Sequence, residues 1–209
     1  MRTCVYIDAS NLSYGGRKSL GWSIDYRKFF AYLQDKYGAE KVYYFGGIEI
    51  HHFPFDYIKS ETVPLVELEK YLTDLIYLKG KYMTDAKIVL LDKHLNRVRF
   101  YKKLEQFGYT VLLKPVKTYK EEDGSRHRKA NCDVDISFSL MRDASVYDRL
   151  ILVSGDGDFL PVLKYLRSEG KRVLLLSRSE RTAREIKRFA GSAFRDFHYL
   201  EKHIKQESV

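Results

Sequence analysis

Leu150-Ile151-Leu152-Val153-Ser154-Gly155-Asp156-Gly157-Asp158-Phe159 is the stretch on which the fold turns. Four uncharged apolar residues read as a short strand buried on both faces. Gly155 and Gly157 break the run, and the aspartates beside them make a polar loop. Residues 159–167 then follow helical spacing, and Gly170 is placed past the helix end. Buried strand, acidic loop and helix, in that order, form one unit of a parallel α/β sheet.

The same alternation extends outward. Residues 3–7 (Thr-Cys-Val-Tyr-Ile) read as a strand ending at Asp8. Ser23 is placed as the cap of a helix through Lys36, with Gly38 as its C′ residue. Residues 41–45 form a second strand, which Gly46-Gly47 is expected to end. Residues 64–78 and 97–107 have helical spacing, and 88–91 reads equally as strand or helix. Residues 110–113 are a strand, and residues 121–125 read as a turn in which Asp123-Gly124 is the strongest signal. Residues 133–141 read as a helix and 173–176 as a strand. Thr182-Ala183-Arg184-Glu185 is a capping-box pattern opening a helix that closes before Gly191. The fold class is α/β, with a mostly parallel central sheet and helices on both faces.

With 209 residues, 44% hydrophobic and 31% charged, the chain suits one medium globular domain and excludes wholesale disorder. Two cysteines, Cys4 and Cys132, exclude a disulfide framework and a CxxC zinc site. The N-terminal apolar run is too short for a signal peptide, and no stretch reaches the length of a membrane span. The expectation is a soluble, reduced, cytoplasmic protein without a membrane partner; a homo-oligomer is compatible with the sequence.

Charge narrows the partners. The net charge is +9. Residues 114–130 contribute +3 (six basic, three acidic) and 164–188 contribute +6 (nine basic, three acidic), which together account for the whole excess. Localised positive charge suits a polyanion, nucleic acid first. The competing reading is a solubilising surface.

In an open parallel sheet, ligands bind beyond the carboxyl ends of the strands. Asp8, Asp156 and Asp158 fall at strand ends, and Asp133 and Asp135 at a helix start. Carboxylates gathered at one sheet edge repel unless a cation neutralises them. An all-oxygen site of that kind suits Mg²⁺ or Mn²⁺. Each aspartate also has a plainer reading: Asp158 as a helix cap, Asp133 and Asp135 as dipole complements, Asp8 and Asn11 as turn residues.

Tyr6-Ile7-Asp8-Ala9-Ser10-Asn11-Leu12 resembles the opening strand motif of NYN domains, an Asp followed three positions later by Asn. Leu152-Val153-Ser154-Gly155-Asp156-Gly157-Asp158-Phe159 resembles their Ser-Gly-Asp-x-Asp-Phe element. Lys129 followed by Cys132-Asp133-Val134 is similar to their Lys and Val-Asp-Val helix start. The nearest resemblance is to the LabA-like branch of this PIN-like (5′-nuclease-like) superfamily, over about residues 2–46 and 110–200. It implies a three-layer α/β/α domain at 1–200 and a metal-dependent ribonuclease. Asp8, Asp133, Asp156 and Asp158 would bind the metal, and Asn11 would orient Asp8 or the scissile phosphate. Ser154 would bond a water or a phosphate oxygen, and Lys129 would hold the substrate backbone.

Three departures stand out. Ser139 occupies a position where family members often carry an acid, for which Asp135 or Asp143 would compensate. One extra residue separates Lys129 from Asp133. Residues 47–109 form an added helical insertion carrying His51-His52, an adjacent pair expected to be incidental. Residues 114–130 would be a basic hairpin arm and 201–209 a C-terminal tail.

Arg126, His127, Arg128, Lys129, Arg178, Arg181 and Arg184 are candidates for phosphate contacts, and Tyr14, Trp22 and Tyr119 for base stacking. RNA is favoured over DNA by the resemblance alone. Two rivals remain: a nucleic-acid-binding or partner-binding module with a weak or lost metal site, and a HAD-like phosphatase. The phosphatase needs a second acid two residues after the first-strand Asp, where Ser10 stands.

Overall fold

A computed structural model describes residues 1–13, 21–120 and 126–207, with the side chains of 13, 79, 119, 120 and 126–129 outside the described set. The chain divides into two compact units. One comprises residues 1–45, 107–110 and 132–209, and the other 46–106 and 111–131.

The strands are β1 (Thr3–Asp8), β2 (Ala39–Ile48), β3 (Thr110–Pro115), β4 (Lys117–Lys120), β5 (Arg126–Lys129), β6 (Arg149–Val153), β7 (Arg172–Ser177) and β8 (Phe194–Asp196). The helices are α1 (Ala9–Ser13), α2 (Tyr26–Tyr37), α3 (Leu65–Lys79), α4 (Asp85–Gln106), α5 (Asp133–Arg142), α6 (Leu160–Ser168), α7 (Arg184–Ala190) and α8 (Glu201–Ile204). Six strands form one sheet in the order β3-β2-β1-β6-β7-β8. The β1–β2, β1–β6, β6–β7 and β7–β8 pairings are all parallel. This is a three-layer α/β/α fold with a mostly parallel sheet.

All six residues of β1 are buried, as a central parallel strand covered on both faces requires. Val5, Ile7, Leu150, Leu152, Leu175 and Phe159 are core residues of the first unit. From β1 the chain proceeds outward to β2, and from β6 it proceeds the other way to β7 and β8. The order therefore reverses between β1 and β6, and a crevice opens at their carboxyl ends.

Several local details differ from expectation. Helix α2 starts at Tyr26, because Asp25 rather than Ser23 accepts from the Arg27 and Lys28 amides. The Ser23 carbonyl instead receives the Gln206 amide. Gly38 ends the helix in the left-handed region, as placed. Residues 201–207 are not a loose tail. Ile204 is buried, its carbonyl accepts from the Asp25 amide, and Lys205 bridges to Ile24. The short strand β8 carries no apolar run and went unforeseen.

The second unit is helical in its main part. Residues 88–91 belong to α4, whose Leu91, Leu95, Val98 and Leu104 repeat at helical spacing and are buried. Leu68 and Leu72 of α3 are buried too, and Glu69 of α3 pairs with Arg99 and Lys102 of α4. Strand β2 continues through Gly46-Gly47 into this unit. A Cβ on Gly47 would lie 2.5 Å from the Ala130 Cβ, so glycine here permits close approach instead of breaking the strand. Strands β4 and β5 pair antiparallel, Lys117 opposite Lys129 and Lys120 opposite Arg126. The expected Asp123-Gly124 turn lies outside the described residues. No helix among the described residues is long and apolar enough to cross a membrane. Cys4 and Cys132 are buried and form no disulfide.

Candidate functional site

Parallel pairing sets Ile7 beside Val153, so Asp8, the last residue of β1, and Ser154, the first after β6, come side by side. Asp8 is 2% exposed. Its Oδ1 accepts from the Ser10 amide (2.9 Å), the Ser10 hydroxyl (2.6 Å) and the Asn11 amide (3.2 Å). These bonds start helix α1 directly after β1. Its Oδ2 accepts from the Ser154 hydroxyl at 3.1 Å.

Ser154 faces two ways. Its oxygen also accepts the Asp156 amide at 3.3 Å. Asn11 closes the same loop, its side-chain carbonyl accepting the Gly155 amide at 3.1 Å. Asp156 caps the short turn 157–159 by accepting from the Asp158 amide at 3.0 Å, and Phe159 anchors that turn in the core. Asp156, not Asp158, is therefore the cap, and Asp158 is exposed.

The loop is clamped from behind. A Cβ on Gly155 would lie 2.6 Å from the Ser177 hydroxyl and 2.9 Å from that of Thr182. Both hydroxyl residues are buried. Thr182 does not cap α7; its hydroxyl donates to the Arg178 carbonyl at 2.6 Å. Glu185, expected as the capping-box acid, instead puts its Oε1 2.6 Å from where a Gly157 Cβ would stand. It is a carboxylate beside the Asp156–Asp158 loop that the sequence reading left out of the site. Arg178 shares a narrow crevice with Asn11, Val153 and Ser177, and burial pushes its guanidinium pKa down.

Asp133 and Asp135 stand in the first turn of α5, which packs on β1 and touches the 157–159 turn. Asp143 is no substitute acid. It follows the last turn of α5, about 15 Å along the axis from Asp133, where it accepts from the Tyr6 hydroxyl at 3.2 Å and pairs with Arg142. Ser139 is buried at 3%, a place where an acid would lose its hydration. Among the described residues, no three His, Cys, Asp or Glu side chains are placed to hold one ion.

The remaining expectations divide. Arg126, Arg128 and Lys129 lie on β5, but their side chains, like Tyr119's and all of Tyr14, are outside the described set. Trp22 is 4% exposed and so does not offer its ring to a base. His51 of the second unit sets its ring against His94.

A carboxylate offers about four lone-pair positions. Asp8 Oδ1 spends its own on the start of α1, while Oδ2 meets Ser154 and keeps capacity for a cation or a water. Mg²⁺ favours one or two carboxylates, its remaining positions going to waters and substrate phosphates. Asp8, with Asp156 tied by its backbone amide to the same Ser154 hydroxyl, offers oxygen donors of that kind.

Comparison with known proteins identifies the family and the fold. The family model for the NYN domain matches residues 2–200. The low amplitude and bright protein LabA of Synechococcus elongatus is 25% identical over 190 residues, covering 89% of this chain and 78% of that protein. A crystal structure of a Vibrio parahaemolyticus protein of unknown function shares the fold, with a TM-score of 0.61 at 19% identity. That likeness covers 94% of this chain and 92% of the other.

Proposed function

The chain belongs to the NYN domain family, and from that premise we propose that it is a metal-dependent ribonuclease hydrolysing RNA phosphodiester bonds. The observation that carries the reading is the bridge Asp8–Ser154–Asp156 at the strand-order reversal. Two acids from distant parts of the chain are held there at the carboxyl ends of adjacent strands.

Asp8 and Asp156 would hold Mg²⁺ or Mn²⁺, with Asp133 and Asp158 completing the acidic edge. When bound, the ion activates a water and stabilises charge on the phosphate. The chain's own residues do the positioning. Ser154 fixes the Asp156 amide relative to Asp8, and Asn11 fixes Gly155. Arg178, with Lys129, Arg126 and Arg128 of the arm, would neutralise the RNA backbone without reading sequence.

The experiment is cleavage of single-stranded and structured RNA in Mn²⁺, with Asp156→Asn as control. The expected result is cutting by wild type and none by the variant, with matching circular dichroism spectra. Equal cutting by both proteins overturns the reading. One observation favours the second reading, a nucleic-acid-binding or partner-binding module with a weak or lost metal site: no three described side chains of ligating type are placed around one ion. That module binds RNA or a partner and cuts nothing. The phosphatase reading loses ground, since the Ser10 hydroxyl bonds Asp8 where that chemistry needs an acid.

A further inference from the structure

Within the second unit, helix α4 has two faces. Leu91, Leu95, Val98 and Leu104 are buried. Lys93, Asn96, Arg97 and Phe100 recur at i, i+3, i+4 and i+7, which puts them together on another face. These four line a groove of about 470 Å³ with His94, Gly47, Ile48, Glu49 and Val116. The groove is within the range of small-molecule sites.

Its walls are fixed. The Val116 amide donates to the Ile48 carbonyl at 2.9 Å, and the Tyr101 hydroxyl donates to the Gly47 carbonyl at 3.0 Å. The Arg97 guanidinium stands 5.7 Å from the Phe100 ring centre and 5.6 Å from that of Tyr101. A merely solvated helix face has nothing across from it; here residues 47–49 and Val116 form the other wall, and Phe100 makes one wall aromatic.

The chemistry selects the occupant. Two cations, Lys93 and Arg97, stand against one carboxylate, Glu49. Aromatic rings and guanidinium planes are the surfaces on which unpaired bases stack. Asn96 supplies a donor and an acceptor for a base edge. We propose that this groove binds an unpaired nucleotide of a single-stranded nucleic acid, with the phosphate on Lys93 and Arg97 and the base against Phe100. The proposal rests on the nucleic-acid reading above and deepens it, because the groove lies in the inserted unit, apart from the aspartates in sequence.

The test is fluorescence anisotropy of the full chain with a short fluorescein-labelled single-stranded RNA, in EDTA so that nothing is cut. Lys93→Ala is expected to weaken binding about tenfold and to lower the salt slope by roughly one. Phe100→Leu is expected to weaken it about tenfold with the salt slope unchanged. Asn96→Ala, on an exposed site, keeps the test valid if the Phe100 variant melts early; it too weakens binding. Unlabelled adenosine monophosphate that displaces the strand from wild type assigns the groove to free nucleotides, the same chemistry from a smaller source. Wild-type affinity in all three variants overturns the proposal, as does a duplex RNA bound as tightly as the single strand.

The two readings fail separately. Cutting in Mn²⁺ with wild-type RNA affinity in the groove variants removes the groove and leaves the ribonuclease. Loss of RNA affinity in these variants, with no cutting by wild type, keeps the groove and removes the ribonuclease.

Discussion

The Ser154 hydroxyl lies 3.1 Å from Asp8 Oδ2 and joins residues 146 positions apart. One small side chain thereby ties the Asp8 carboxylate to the backbone of the Asp156 loop, since the same oxygen receives the Asp156 amide.

Ser154→Ala removes a donor from a buried carboxylate and an acceptor from a loop amide. The expected cost is about 1–3 kcal/mol of stability, read by urea denaturation. Cleavage falls by at least tenfold, because the Asp156 loop loses its register against Asp8. Unchanged cleavage in a variant that has lost the stability would separate the hydroxyl from the chemistry.

Gly155→Ala tests the clamp behind the loop. The new Cβ meets the Ser177 and Thr182 hydroxyls and lies 3.0 Å from the Thr182 Cα, which is backbone and does not swing aside. Forced shifts of this kind cost about 1–3 kcal/mol. The melting temperature should fall, and with it the rate of RNA cleavage. A variant as stable as wild type would contradict the tight fit of this loop.

Metal addition gives a reading independent of RNA. A cation that binds only the folded site stabilises it by about 2.7 kcal/mol at a hundredfold excess over Kd, or about 5–10 °C in a domain of this size. Mn²⁺ is expected to raise the melting temperature of wild type by this order and to leave Asp8→Asn unmoved. Equal shifts in both proteins would assign the effect to some other site.

The far end of β1 predicts an alkaline limit. Burial pushes the Cys4 thiol from 9.0 up to about 11 and the Tyr43 phenol from 10.0 up to about 12. Burial, reinforced by nearby Asp143, raises Tyr6, and burial also raises Tyr147. The folded state holds these protons more tightly than the unfolded chain. The stabilisation is complete below about pH 9 and is lost as pH climbs through the raised values. Unfolding should therefore set in between about pH 9 and 12, with tyrosinate absorbance rising together with the loss of circular dichroism. Phenolate forming near pH 10 in an intact fold would contradict it.

What was legible in the sequence follows from local physics. Residues 3–7 and 150–153 announce central strands, since a strand buried on both faces must be apolar throughout. Asp8, Asn11, Ser154 and Asp156 could be placed at strand ends for the same reason. The failures have a common origin in distant partners. Asp25 displaces Ser23 as a cap because residues 204–206 occupy the backbone around Ser23. Thr182 and Glu185 spell a capping box, yet one turns to Arg178 and the other to Gly157. Trp22 has the chemistry of a stacking residue and the burial of a core one. No local pattern announces such choices.

The β1–β6 pairing also orders events on the ribosome. Strand β2 emerges soon after β1 and covers one of its edges, whereas β6 comes more than a hundred residues later. At 5–20 residues per second the interval between Asp8 and Ser154 is roughly 7–30 s. Throughout it the nascent chain carries a hydrophobic strand with an uncovered edge. The contact between Asp8 and Ser154 thus waits until residue 154 has left the ribosome, long after its first partner was made.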